Sequence, residues 1–347
     1  MPQLFDSLSF THGPAMKNRF MLAPLTNSQS HEDGVLSDVE ARWLTMRAEG
    51  GFGLTMTCAA HVQAIGQGFP GQLGVFGDEH LPGLTGLAES IRAQGSLSAV
   101  QLHHAGMRSP RALIGEAPVC PSVNEEFGAR ALAEEEVAAL IEDFIAAAER
   151  SEQAGFDGVE LHGAHGYILC QFLSGEINRR DDAYGGSLEN RARPLMDIIA
   201  GIRARCGADF QLGVRLSPER FGVDTLEIRD LVQTLMRSGD VEYIDMSLWD
   251  VAKEPATEAL KGRSLMSYFT ELDRGDCRLG VAGKVHSAES ARWCLDEGCD
   301  FVLAGRAAIL HHDFPARVAA DPDFVMASLP VSEAHLKAEG LGDAFIG

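Results

Sequence analysis

EQAGFDGVELHG, residues 152–163, reads as the end of a helix, a glycine turn and a short buried strand. Just upstream, Val137, Leu140, Ile141, Phe144, Ile145 and Ala148 follow i, i+3, i+4, i+7 spacing, the apolar stripe of an amphipathic helix. Gly155 suits a left-handed helix C-cap, which a residue without a Cβ enters most easily. The same plan returns in AEGGFGLTMTC (48–58), RSGDVEYIDMS (237–247) and DEGCDFVLAG (296–305): helix end, glycine, tight turn, then a run of largely apolar residues.

Four further strand-like segments fill the gaps: RFMLAPL (19–25), SLSAVQLHH (96–104), FQLGVRLS (210–217) and CRLGVAG (277–283). About eight strands alternating with helices is the layout of a (β/α)8 TIM barrel. A doubly wound open sheet would need GxGxxG at its first strand-to-helix turn, and RFMLAPLTNSQS has no glycine there. The expectation is an α/β fold, one barrel domain over residues 1–347. An N-terminal β-hairpin (MPQLFDSLSFTHG) would close the barrel bottom, and an insertion after strand 3, about Met107 to Arg130, is placed to lid the site.

Composition narrows the function classes. The chain has 347 residues, 45% apolar and 23% charged, with a formal net charge of −21. So acidic a surface argues against tracking nucleic-acid phosphates. Cysteines at 58, 120, 170, 206, 277, 294 and 299 are odd in number and form no CxxC, so neither a disulfide framework nor a zinc ribbon is indicated. The start shows no basic stretch leading into an apolar run, and no segment approaches 18 consecutive apolar residues. These features point to a cytoplasmic protein without a membrane span.

In such barrels chemistry gathers where strands end. Thr26 and Asn27 follow the first strand, Gln101, His103 and His104 the third, His162 the fourth and Arg215 the fifth. Ser247 and Trp249 follow the sixth, Gly283 and Lys284 the seventh, Gly305 and Arg306 the eighth. Gly283, Gly305 and Arg306 suit a phosphate, since loops after strands seven and eight are the usual phosphate site; they also suit plain turns with a surface cap. Arg215 in the barrel mouth needs an anionic partner, either a ligand or a carboxylate such as Glu160. Gln101 suits a heterocycle edge or a neighbouring backbone group. His162 and His165 read as a metal pair lacking a third ligand, as core histidines, or as paired N–H donors for a carbonyl or nitro oxygen. Under the last reading Tyr167 becomes a proton donor, because a phenol is protonated at neutral pH.

Residues 162–194, HGAHGYILCQFLSGEINRRDDAYGGSLENRARP, resemble the old yellow enzyme family of FMN-dependent barrel oxidoreductases. The likeness runs through His162, His165, Gly166, Tyr167, Phe172, Leu173, Asn178, Arg180, Asp182, Tyr184, Gly185, Gly186, Ser187, Glu189, Asn190 and Arg191. It continues in KNRFMLAPLTN (17–27), QLHHAG (101–106) and VLAGRAAI (302–309). It implies that Ala23, Pro24, Leu25 and Thr26 lie along the flavin, with Ala59 offering backbone contact and Gln101 meeting the pyrimidine edge. Arg215 would sit beside N1 and O2. Gly283, Gly305 and Arg306 would hold the phosphate, His162 and His165 the substrate's activating oxygen, and Tyr167 the proton. The implied activity takes hydride from NADH or NADPH through FMN and reduces activated C=C bonds of α,β-unsaturated carbonyl or nitro compounds.

Three rivals remain at this level: an oxidative N-demethylase-type flavin barrel, a metal-dependent barrel hydrolase built on the two histidines, and a flavin-binding sensor without turnover. Partners are expected to be small molecules, with a homo-oligomer left open. Some bacterial members of the family carry cysteine at Thr26 and tyrosine at Ser28. The tail HLKAEGLGDAFIG ends without the arginine that can complete a neighbour's site in that branch. In the long motif Asp181 and Ala183 replace the commoner threonine and glutamate. Cys294 and Cys299 lack the spacing of a four-iron cluster.

Overall fold

Eight parallel strands close a barrel in chain order in the computed structural model, which describes residues 3–346. They are β1 (Phe20–Leu22), β2 (Leu54–His61), β3 (Leu97–His103), β4 (Gly158–Gly163), β5 (Gln211–Leu216), β6 (Tyr243–Ser247), β7 (Arg278–Ala282) and β8 (Phe301–Ala304), with β8 returning to β1. Seven lie inside a segment that the sequence marks as strand, and β2 runs three residues past its segment, to His61. Between and after them run α1 (Asp38–Glu49), α2 (Leu81–Ala93), α3 (Glu134–Gln153), α4 (Leu188–Arg205), α5 (Thr225–Ser238), the one-turn α6 (Ser267–Thr270), α7 (Ala288–Asp296) and α8 (Phe314–Ala320). Among the described residues no helix is long and apolar enough to cross a membrane.

The recurring turn has a physical basis. Gly51, Gly155, Gly239 and Gly298 all take positive φ, at 101°, 90°, 78° and 104°, as the four repeated segments require. In three of them an acid just before the strand reaches back to the first turns of the preceding strand. Asp157 Oδ2 accepts from Ser98 N–H at 2.8 Å, Glu242 Oε2 from Leu212 N–H at 2.5 Å, and Asp300 Oδ2 from Leu279 N–H at 2.9 Å. These bonds bolt β4 to β3, β6 to β5 and β8 to β7, and satisfy strand-entry donors that would otherwise be buried unpaired.

Cross-strand register fills the barrel. Tyr243 on β6 is paired with Gly213 on β5, and Phe301 on β8 with Gly280 on β7. A Cβ on either glycine would overlap the aromatic ring beside it, so large and small residues interdigitate. Below these rings the N-terminal segment plugs the barrel. The expected hairpin is reduced to one antiparallel bridge, Leu8 to Met16, with N–H···O distances of 3.0 and 2.9 Å. Pro14 has no N–H to extend a ladder, and Gly13 turns the chain at φ 70°. Leu8 and Met16 pack on Met21, Leu54, Tyr243 and Phe301. Gln211 Nε2 donates to the carbonyls of His12 and Pro14. Met1 and Pro2, the start of that expected hairpin, lie outside the described residues.

The insertion after β3 is ordered around Arg180, from the loop that follows β4. Arg180 Nη1 donates to the carbonyls of Pro121 (2.9 Å) and Leu132 (2.5 Å), and its Nε to Asp182 (3.0 Å). Two short strands, Val119–Cys120 and Arg130–Ala131, pair within the insertion. Arg180 and Asp182 of the long motif are therefore structural, and clamp the insertion beside the mouth.

Interdigitation makes a directional prediction. Gly280→Ala should cost about 1–3 kcal/mol through overpacking against Phe301. Gly86→Ala on α2, where a Cβ meets nothing within 4 Å, should be neutral or stabilise by roughly 0.4–1 kcal/mol. Urea midpoints of the two variants check this. Equal shifts would contradict it.

Candidate active site

Two adjoining cavities of about 540 and 280 Å³ open at the C-terminal ends of the strands. Ala23, Gly283, Gly305 and Arg306 line the larger, and Thr26, Ala59, Gln101 and His162 the smaller. Pro24, Leu25, His165, Tyr167 and Arg215 form the wall they share. The fold thus gathers every residue assigned a catalytic or cofactor-binding role from the sequence into one groove, while Asn27 and His104 lie outside it.

Register sets its floor. His162, Arg215 and Asp245 are neighbours in one row across β4, β5 and β6; Gln101 and Glu160 are partners one layer below. The Arg215 side chain is only 6% exposed, and its Nε lies 3.0 Å from Asp245 Oδ2. That contact is an ion pair without hydrogen-bond alignment, since neither Nε nor the Asp245 carboxylate has a directed partner. The protein counter-ion is therefore Asp245, and Glu160 instead accepts from Gln101 Nε2 at 2.7 Å. Burial, then the Asp245 charge, pushes the Glu160 carboxyl up; burial also raises Asp245, but Arg215 draws it back.

The histidines are wired to each other. His162 Nδ1 accepts from Ala164 N–H (3.3 Å), which leaves the proton on Nε2, 3.3 Å from His165 Nδ1. His165 Nε2 then donates to Ser247 Oγ at 2.7 Å. This tautomer assignment follows from the network. The two imidazoles form a relay, so a ligand oxygen gains both N–H groups only by displacing these contacts. Burial holds His162 and His165 well below the usual imidazole range. His165 and Arg215 add to the effect on His162, and Arg215 and Arg108 to that on His165. Both rings are neutral at pH 7.

His165 sits at φ 61°, a costly conformation for a non-glycine residue. Its N–H donates to Ser217 Oγ (2.9 Å) and its carbonyl accepts from Arg108 Nη1 (2.6 Å), which holds it there. Tyr167 caps the short helix Ile168–Leu173, its ring 4.3 Å from that of His103 and 5.0 Å from that of His162. His103 faces this cavity, whereas His104 turns outward, its Nδ1 accepting from Gly106 N–H. Among the described residues, triads at metal-ligand spacing occur at His311, His335 and Glu339 and at His312, Asp313 and Glu339; neither includes His162 or His165.

Sequence reasoning passed over several residues. Glu40 on α1 is fully buried and accepts from Asn27 Nδ2 (3.1 Å), Ser30 Oγ and Cys58 Sγ (2.8 Å), pinning the loop after β1 to the strand behind Ala59. Arg108, Arg220 and Phe221 line the larger cavity but lie beyond strand ends, where periodicity carries no signal. Asp245 was detectable in principle, because alternation in IDMS points it inward like Arg215.

The model of the NADH:flavin oxidoreductase / NADH oxidase family matches residues 3–322. The chain belongs to this family. It is an NAD(P)H:flavin oxidoreductase of the old yellow enzyme type, with FMN as its cofactor. It is 34% identical over 325 residues to the probable NADH-dependent flavin oxidoreductase YqiG of Bacillus subtilis (strain 168), covering 91% of this chain and 87% of that one. The old yellow enzyme homologue from Zymomonas mobilis superposes with a TM-score of 0.83 at 27% identity, covering 96% of this chain and 98% of the other. Morphinone reductase in complex with tetrahydroNAD gives 0.83 at 28% identity, covering 97% and 96%.

The donors present in this oxidoreductase fit FMN. Arg215 Nε is buried without an aligned partner beneath both cavities, and the Gly283 turn (φ 153°) packs where a Cβ would meet Asp250 N at 2.8 Å. Among the described residues neither cavity is lined by a carboxylate.

Depressed imidazole pKa values make folding pH-dependent. Below about pH 6.5 the unfolded chain protonates these histidines and the folded chain does not, so each makes stability fall as pH drops. Between pH 5 and 6, wild type should lose about 1.4 kcal/mol per pH unit more than His165→Asn. Parallel urea titrations check it, and equal slopes would show that His165 protonates in place.

Proposed function

We propose that this flavin oxidoreductase reduces electron-poor C=C bonds, in α,β-unsaturated carbonyl or nitro compounds, with NADH or NADPH as donor. The proposal treats residues 1–347 as one FMN-binding barrel domain. Its main support is the meeting of Tyr167 with the neutral His162–His165 pair on the wall shared by both cavities, above the buried Arg215.

FMN, when bound, supplies two-electron transfer between the nicotinamide and the substrate. Gly283, Gly305 and Arg306 would hold its phosphate, and Ala23, Pro24, Leu25, Thr26, Ala59 and Gln101 its ring system. Arg215 would offset negative charge at the pyrimidine edge, a task for which its imperfect pairing with Asp245 leaves capacity. The imidazoles donate N–H groups to the carbonyl or nitro oxygen, where charge grows in the transition state. Their neutrality matters. His162 keeps a lone pair on Nδ1 to accept from Ala164 N–H, and so stays oriented while donating. Tyr167 then delivers a proton to the α-carbon. The Arg108 guanidinium carbon lies 5.0 Å from the centroid of the Tyr167 ring.

Tyr167→Phe should lower alkene reduction by about 100- to 10,000-fold. Flavin reduction by the nicotinamide, followed separately by stopped-flow absorbance, should change little. Equal loss in both halves would reject the proton-donor role. A flavin bleached by a methylated amine, with no enone turnover, would reject alkene reduction.

A further inference from the structure

The mouth carries more positive charge than a flavin nucleotide needs. The protein has a net charge of −21, yet among the described residues the groove is lined by Arg108, Arg215, Arg220, Lys284 and Arg306 and by no aspartate or glutamate. Three of these are accounted for. Arg215 faces Asp245, Lys284 Nζ lies 2.8 Å from Asp250, and Arg306 adjoins the Gly305 turn proposed for the phosphate. Arg108 and Arg220 remain. Among the described residues neither forms an ion pair, although both are exposed on an acidic protein.

Their placement is built. Arg108 donates to the His165 carbonyl and stands over the Tyr167 ring, so it borders the proton donor directly. Arg220, Phe221 and Gly222 take left-handed φ in succession, 70°, 55° and 73°. Non-glycine residues persist there only when their surroundings enforce it. The enforcement is visible: Phe221 packs where a Cβ on Gly166 would meet it at 2.9 Å, and Ser174 Oγ donates to the Gly222 carbonyl at 2.9 Å. The strained turn sets Arg220 4.8 Å from the ring centroid of Trp249, which is 53% exposed and whose own ring lies 6.3 Å from that of His165. The two guanidiniums thus flank the imidazole pair, one beside Tyr167 and one beyond Trp249.

We infer that the alkene substrate carries a carboxylate, received by Arg108 and Arg220 while its activating oxygen meets the His162–His165 pair. This rests on the alkene-reduction reading and narrows it to anionic substrates. A phosphate of the nicotinamide donor is the other source of such an anion. Arg108 favours the substrate, because it borders the group that delivers the proton, whereas the donor's phosphates lie a ribose away from its reacting ring. Guanidiniums suit the role through planar, two-pronged pairing with carboxylate oxygens.

The test compares trans-4-oxo-2-pentenoate with its methyl ester on the FMN-loaded enzyme, using wild type, Arg108→Gln and Arg220→Gln. The ester is intrinsically the better acceptor, so the readout is the carboxylate-to-ester ratio of kcat/KM. That ratio should fall at least about tenfold in each variant. In wild type it should also fall with added salt, and the change should lie mainly in KM for Arg220→Gln. A calorimetric titration with 4-oxopentanoate, the saturated product, should show binding weakened by a similar factor. Unchanged ratios would overturn the inference, as would loss confined to the affinity for NADH or NADPH in the flavin-reduction half. If neither compound nor any neutral enone is turned over, the alkene-reduction reading itself fails. Turnover of both with an unaltered ratio sinks only the carboxylate.

Discussion

A guanidinium buried at the end of β5 is the constraint around which the mouth is organised. Arg215 is nearly inaccessible, yet its counter-ion among the described residues, Asp245, meets it without hydrogen-bond alignment. Burying a charge this way costs several kcal/mol unless other interactions compensate. The arrangement is sustained because β4, β5 and β6 hold His162, Arg215 and Asp245 in one register row. Burial depresses both imidazoles, and the fixed positive charge in the same row adds to it by opposing a second one beside it. The proposed cofactor edge and the imidazole pair both meet this one buried cation, while burial and the Asp245 charge hold the Glu160 carboxyl up below it.

The long motif after β4 divides into two kinds of residue. His162, His165 and Tyr167 face the cavities. Arg180 and Asp182 face away and clamp the insertion, and Asn178 Nδ2 donates to the carbonyls of Phe172 and Tyr184, closing the loop on itself. A long run of family-specific residues is thus a chemical head with a mechanical tail. The tail fixes where Arg108, which leaves β3 at the base of the insertion, stands relative to Tyr167.

Charge is distributed against the average. An acidic surface surrounds a mouth that, among the described residues, has five cationic side chains and no carboxylate. Such a contrast focuses field lines into the cleft and favours anionic ligands on approach. FMN and a nicotinamide dinucleotide both satisfy that description, and so would a carboxylate-bearing alkene.

All eight strands, the four left-handed glycine turns and the strand-end positions of the gathered residues were legible in the amino-acid order, because each depends on neighbours a few residues apart. Spacing within one helix or strand decides burial, and a glycine that must cap a helix announces itself locally. The groove's membership followed once strand ends were known to converge. What tertiary structure alone decided is which of two buried carboxylates faces Arg215, that the histidines form a relay ending on Ser247, and that Glu40 staples the loop after β1. It also decided that Arg108 and Arg220 share a mouth. Those contacts join different elements of the fold, and they depend on the stagger with which the barrel closes. A one-residue slip in register would turn each inward side chain outward, and no local pattern reports the stagger.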